Sequence, residues 1–318
     1  MSRIKNKIFS SLFVCICFFI SMDANSHDLC HLHCIRPDVL QALSHTRAHT
    51  FYPLFEQQCL FQSIEDSIES NPFISAAAQG NLEVVKILFK EMVKSSCFFD
   101  EEVIHHSCIS AAAHGHHEVL RFLLTKVIAA SSCNWIDHET LRRCCFFAAA
   151  RGHRDILKFL FADAFPQNGL YVDWELLQSC CISAAAGGHR PVLKFLFHKV
   201  FPENLFFIDH DILNSCCICA ASCGHLHALR FLFSEFLKIS FYLDCDVFSN
   251  SLICASANGQ LEVLRFLLKY ARSEHHWFLE PCLLDNCCIF ASENGHLGAL
   301  KLLRTSSHGT CCINSSFD

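Results

Sequence analysis

Thiols and imidazoles supply most of the chemistry open to this chain: 23 cysteines and 21 histidines among 318 residues. In the stretch SCCISAAAGGHRPVLKFLF, Cys180 and Cys181 stand just ahead of His189. Such groups can ligate zinc or pair as nucleophile and base. A second concentration, HDLCHLHC, holds His27, Cys30, His31, His33 and Cys34. Its ligand types suit zinc, but its spacing matches no standard finger and no second cluster follows nearby. There is no phosphate loop, no G-x-S-x-G and no H-E-x-x-H. No cofactor is expected, and no residue is assigned to catalysis or metal. A Cys/His site assembled in three dimensions, in the segment 27–64 or in a cleft, is the alternative, because such sites are defined by geometry and not by order.

The elements that carry these residues repeat. Glycines 80, 115, 152, 188, 224, 259 and 295 recur every 35 to 37 residues. A fixed period over seven copies marks a stacked repeat array. After the glycine come runs such as HHEVLRFLL, HRDILKFLF and QLEVLRFLL. Their apolar positions give a helix with a broad stripe. Before the glycine stands Ala-Ala-Ala or a close variant, which lets helices approach closely, and the glycine ends that first helix. Fifteen residues before each anchor stand Glu65, Asp100, Asp137, Asp173, Asp209, Asp244 and Glu280, in the place of helix N-caps. An apolar residue precedes each cap, and in repeats two to seven another follows it at the spacing of a hydrophobic staple, as with Ile136 and Leu141. Each unit is therefore a helical hairpin.

The repeat then sorts the candidate residues into columns. Cys144-Cys145, Cys180-Cys181, Cys216-Cys217 and Cys287-Cys288 share two columns, and Cys108, Leu252 and Phe73 also occur in the second. A column that accepts Cys, Leu and Phe is a core column. Neighbouring copies lie roughly 8–10 Å apart, too far for a ladder of disulfides. His116, His153, His189, His225 and His296 alternate with Asn81 and Gln260, which predicts a hydrogen-bonding helix-start residue. A basic column (Lys86, Arg121, Lys158, Lys194, Arg230, Arg265, Lys301) sits three residues after acids in several copies, as on a solvated face. The first helices carry acids two residues after the caps (Glu102, Glu139, Glu175, Asp211, Asp246) and variable polar residues beyond them (His105, His106, Arg142, Arg143, Gln178, Asn214). Variable polar positions on a fixed scaffold are the expected partner-binding surface.

The pattern A-A-x-x-G-H-x-x-V-L-x-x-L-L, as at 183–189 and 291–297, resembles the second half of the ankyrin repeat, over residues 65 to about 304. It is similar to divergent arrays of intracellular bacteria and large DNA viruses. The first half departs from the family: S-C-C-I-S-A stands where T-P-L-H-x-A is expected, and the period exceeds the usual 33. A longer first helix in place of β-hairpin fingers is therefore expected, giving an all-α solenoid of seven ankyrin-like repeats. The resemblance implies a non-enzymatic protein–protein interaction scaffold.

Charge and composition bound the rest. A net charge of −6 argues against nucleic acid as the main ligand. Arg3, Lys5 and Lys7 precede the apolar run 8–20, and Ala24-Asn25-Ser26 offers a cleavage site before His27. That is the layout of an export signal, and the run is short of a membrane span. The expected order is a signal or apolar segment at 1–26, a helical cap at 27–64, repeats at 65–304 and a polar tail at 305–318. Within the cap, Pro37-Asp38-Val39-Leu40 can begin an adaptor helix. A monomer that binds another protein, exported or host-directed, is expected, with a cytoplasmic protein as the alternative.

Overall fold

The computed structural model describes residues 68, 71–94, 101–127, 136–167, 169–204, 208–239, 245–273 and 281–311. The segments 1–26 and 27–64, and with them HDLCHLHC and the adaptor helix, lie outside the described residues. The chain forms two compact units, divided between Ile208 and Asp209.

The first unit holds four hairpins: α1 (Pro72–Ala78) with α2 (Leu82–Lys94), α3 (Glu101–Ala113) with α4 (His117–Phe122), α5 (His138–Arg151) with α6 (Arg154–Phe159), and α7 (Trp174–Ala186) with α8 (Arg190–Phe195). The second holds three: α9 (His210–Ser222) with α10 (Leu226–Ile239), α11 (Cys245–Ala257) with α12 (Leu261–Ser273), and α13 (Pro281–Glu293) with α14 (Leu297–Cys311). No strand occurs among the described residues. The fold is an all-α repeat solenoid, and α14 runs past residue 304 to Cys311.

The helix starts follow from the caps. Asp137, Asp173 and Asp209 have extended backbones, and their carboxylates accept from the N–H groups of Thr140, Leu176 and Ile212. Each bond satisfies a donor that the first helical turn leaves open. Ile136 and Leu141, the expected staple, are both buried. The first hairpin differs. Glu65 lies outside the described residues, and α1 is capped by Asn71, which accepts from Phe73 and Ile74, with Pro72 at the first helical position. Proline suits that place because its missing N–H would have no helical partner there.

The helix ends follow from the glycines. All seven anchors lie at φ between +64° and +81°, a region that side chains with a Cβ avoid. After α5, the Gly152 N–H donates to the Ala149 carbonyl at 3.2 Å and the His153 N–H to the Ala148 carbonyl at 2.8 Å. This pair of bonds is the Schellman closure, and it recurs at each anchor.

Packing uses the columns. Most alanines before the anchors are buried, and in five of the seven hairpins so is a leucine of the second helix: Leu120, Leu157, Leu193, Leu229 and Leu264 are fully buried. Each such leucine contributes about 1.5–3 kcal/mol of apolar transfer.

Three second helices carry an irregularity. α4, α6 and α8 pass without a break into π-helical turns at Leu123–Val127, Leu160–Ala164 and Leu196–Val200. The last two run on into short α turns, Phe165–Gln167 and Phe201–Glu203. Pro166 and Pro202 stand in those turns. Proline has no N–H and its ring clashes with the carbonyl four residues back. The wider turn avoids that clash: Phe165 and Phe201 bond to the carbonyls of Leu160 and Leu196, five residues back. Both phenylalanines are thereby fully buried.

Candidate interaction surface

The histidine column has a more specific task than capping its own helix. His116, His153 and His189 occupy the N-cap position but make no side-chain bond to their own helices. Their Nε2 atoms reach back to the preceding hairpin, to the carbonyls of Ala78 (2.9 Å), Ala113 (3.0 Å) and Ala150 (3.0 Å). A carbonyl only accepts, so Nε2 carries the hydrogen. These carbonyls belong to the last turn of a helix, where no backbone donor is left for them. The Schellman bonds close the two carbonyls before them, and the imidazole of the next hairpin closes this one. Gln260 does the same with Nε2 to the Ser222 carbonyl at 2.9 Å, which explains why glutamine stands in the column. Asn81, in the first described hairpin, instead caps its own helix, accepting from the Val84 N–H at 3.2 Å. Burial holds the His153 imidazole below its ordinary value, with its bond to Ala113 acting in the opposite direction.

The ring also packs on the anchor glycine of the preceding hairpin. A Cβ at Gly80, Gly115 or Gly152 would fall 2.3, 2.6 or 2.5 Å from Nδ1 of His116, His153 or His189. Anchor glycine and histidine are thus two halves of one joint between hairpins.

The paired cysteines are core. Cys108, Cys144, Cys145, Cys180, Cys181, Cys216, Cys217 and Cys287 are buried free thiols, and Cys288 of the last hairpin is half-buried. Ser107 and Ser251 fill the first of the two columns elsewhere, also fully buried. Burial pushes these thiols up, Cys287 to about 12, and Cys108, Cys144, Cys145, Cys180, Cys216 and Cys217 in the same direction. Metal binding and nucleophilic attack need the thiolate. These sites favour the opposite state, as thiols packed in a core do.

The polar columns of the first helices lie at the surface, as expected, but not all of their members are free. Glu102, Glu139, Glu175, Asp211 and Asp246 are exposed. His105, His106, Arg142, Arg143, Gln178 and Asn214 are half-buried. His105 approaches the cap carboxylate of the next hairpin, Asp137, at 3.3 Å, and Glu101 of its own at 3.8 Å. Arg142 donates to Asp173, the following cap, and lies 3.7 Å from Glu175 and 3.8 Å from Glu139. His105 and Arg142 thus tie one hairpin to the next as well as facing outward. Arg143 pairs with Glu139 at 2.7 Å and His106 with Glu102 at 4.0 Å, each within its own helix. Such partly exposed pairs contribute about 0–1 kcal/mol. Asn214 is different: its Oδ1 is buried and finds no donor among the described residues.

On the second helices the basic column behaves as expected at three positions. Lys86, Lys158 and Arg265 pair with Glu83, Asp155 and Glu262 at 2.8, 3.0 and 2.5 Å. The apolar periodicity does not announce the π turns, two of which are followed by Phe-Pro-Gln and Phe-Pro-Glu at one position of two copies.

Near-identical hairpins, joined by histidine and glycine and packed on alanine, leucine and thiol, leave at their surface the side chains in which they differ. That arrangement defines a helical repeat protein. Residues 73–171 match the family model of ankyrin repeats (3 copies), which supports an ankyrin-repeat protein. Ankyrin repeats generally mediate protein–protein interaction, and the family is typically a non-enzymatic scaffold. No curated protein matches the chain. Among the described residues no helix is long and apolar enough to cross a membrane.

Proposed function

We propose that this protein is a non-enzymatic scaffold that binds another protein through the polar columns of its first helices. The observation that carries this reading is the contrast between columns. Glycine, histidine, leucine and cysteine positions are buried or engaged between hairpins, whereas Glu102, Glu175, Asp211 and Asp246 form an exposed acidic column and Gln178 and Asn214, half-buried, stand in a column that varies between copies. Within each unit the joints between hairpins hold these side chains at fixed spacing, so little ordering entropy is lost on binding.

A photo-crosslinker at Gln178 or Asn214 is expected to trap one discrete protein from the native source. Glu175→Arg with Asp211→Arg should cut that crosslink at least tenfold, and a crosslinker at Lys301 should trap nothing. Equal trapping from all three positions overturns the reading.

Export belongs to the same proposal. It is supported by Arg3, Lys5 and Lys7 ahead of the apolar run and by the small residues before His27. The intact mass of the native protein, alkylated without reduction, should correspond to a chain that starts at His27. A full-length mass removes export and moves the partner to the producing cell.

A further inference from the structure

The second helices of the third and fourth hairpins enclose a groove of about 860 Å³ between α6 and α8 with their π turns. Its floor includes the rings of Phe161 and Phe195, both half-buried. Its walls are cationic: Arg154 and Lys158 on one side, Arg190, Lys194 and Lys199 on the other, all exposed. Glu203 is the one carboxylate in the lining. Asp155 lies beside Arg154 and Lys158, at 4.0 and 3.0 Å, and draws on their charge. Arg190, Lys194 and Lys199 have no carboxylate partner among the described residues. In a chain of net charge −6, five cations around one recess form a local exception.

The π turns contribute to this recess. Phe161 comes from the turn Leu160–Ala164, and His198 and Lys199 come from Leu196–Val200. Interruptions of this kind recur where a helix serves binding. The wall from Arg154 to Ala162 is about 12 Å long at 1.5 Å per residue. That length accommodates about four residues of extended chain.

We infer that this groove docks a short acidic segment of a partner protein that carries an aromatic or aliphatic side chain. The cations on both walls meet its carboxylates, and Phe161 and Phe195 take the apolar side chain. Charge complementarity of this form sets on-rate and partner choice. A protein segment fits better than the alternatives. A flat bilayer meets the rim cations but cannot reach a floor recessed between two helices. A nucleic-acid strand calls for a basic track longer than this patch, without Asp155 and Glu203 in it. The inference rests on the reading of the protein as an interaction scaffold, but it uses second-helix residues, so variants of the two surfaces separate the two ideas.

The test uses the full chain and a fluorescein-labelled synthetic peptide, Glu-Glu-Phe-Glu-Leu-Glu-Glu, followed by fluorescence anisotropy. The peptide is expected to bind and its lysine counterpart is not. Arg190→Glu with Lys194→Glu and Lys199→Glu should weaken binding at least tenfold, and Lys199→Glu alone about threefold. Glu175→Arg with Asp211→Arg should leave it unchanged. An increase from 50 to 300 mM salt should weaken binding severalfold, because exposed charges are screened. All five cations are exposed, so the variants are expected to keep the far-ultraviolet dichroism of the parent. No binding of the peptide, or equal binding by the triple variant, overturns the inference. So does tighter, triple-variant-sensitive binding to phosphatidylserine vesicles or to a single-stranded oligonucleotide than to the peptide, which would assign the groove to that ligand.

Discussion

Alanine at Gly152 lowers the unfolding free energy by about 3 kcal/mol. Two costs combine. Gly152 sits at φ +81°, where a Cβ costs about 1–2 kcal/mol. That Cβ would also lie 2.5 Å from Nδ1 and 2.8 Å from Cγ and Cε1 of His189. The ring must therefore move, and its bond to the Ala150 carbonyl breaks, at about 1 kcal/mol. Gly169 supplies the control. It has φ +65°, and a Cβ there would meet nothing within 4 Å, so Gly169→Ala should cost only the strain, about 1–2 kcal/mol. His189→Ala should cost about 1–2 kcal/mol, and His189→Gln less than half of that, since Gln260 makes the same bond in this column. In the double variant Gly152→Ala with His189→Ala the two penalties should fall short of their sum, because the loss of the bond to the Ala150 carbonyl is counted once. Urea unfolding followed by circular dichroism measures all five proteins. Equal destabilisation at Gly152 and Gly169 would show that histidine does not pack on the turn.

Alkali should unfold the protein cooperatively, with a midpoint roughly between pH 9.5 and 11. Cys108, Cys144, Cys145 and Cys180 are fully buried in the first unit, and burial raises each thiol well above its ordinary range. In the unfolded chain they ionise near pH ~8.5. The stability that depends on protonated thiols is thus complete below that pH and is lost as the pH rises above it. Each thiol then costs about 1.4 kcal/mol per pH unit until it titrates in the folded state. Four thiols together cost about 5 kcal/mol per pH unit, comparable with the whole stability of a typical domain, about 5–15 kcal/mol. The second unit carries Cys216, Cys217 and Cys287 and should respond in the same direction, with Cys287 titrating at about 12. Serine at Cys144 and Cys180 should halve the slope in the first unit, since Ser107 and Ser251 already occupy that column. Chemical denaturation at a series of pH values gives the slope directly. A flat profile to pH 10.5 would mean that water reaches the thiols.

The features that repetition writes into the sequence were the legible ones. Seven glycines at a fixed period imply seven turns, and all seven have the left-handed backbone that only a turn of this kind requires. Asp137, Asp173 and Asp209 read as caps because aspartate ahead of a staple has few other uses. The cysteine columns read as core because leucine and phenylalanine share them. What was less legible depends on a second hairpin. Histidine beside a helix start looks like a cap, and nothing within its own repeat reveals that its acceptor lies 38 to 40 residues back. His105 and Arg142 looked like free surface for the same reason: Asp137 and Asp173, which they meet, belong to the next copy. The groove was hidden because the apolar periodicity of the second helices does not announce the wide turns at Leu160–Ala164 and Leu196–Val200, through which the helix continues.

The histidine bond also gives the array a direction in time. In every pair for which it is described, the acceptor precedes the donor in the chain, by 38 to 40 residues. On a ribosome each hairpin is therefore complete, with one carbonyl waiting, before the imidazole or amide that will engage it has been made. At ordinary elongation rates the interval is about 2–8 s, far longer than a helix or a short loop needs to form. Each new hairpin meets a finished template, and no hairpin has to wait for a distant part of the chain. A gene of this design can gain or lose a copy at its 3′ end without leaving any earlier donor unmatched.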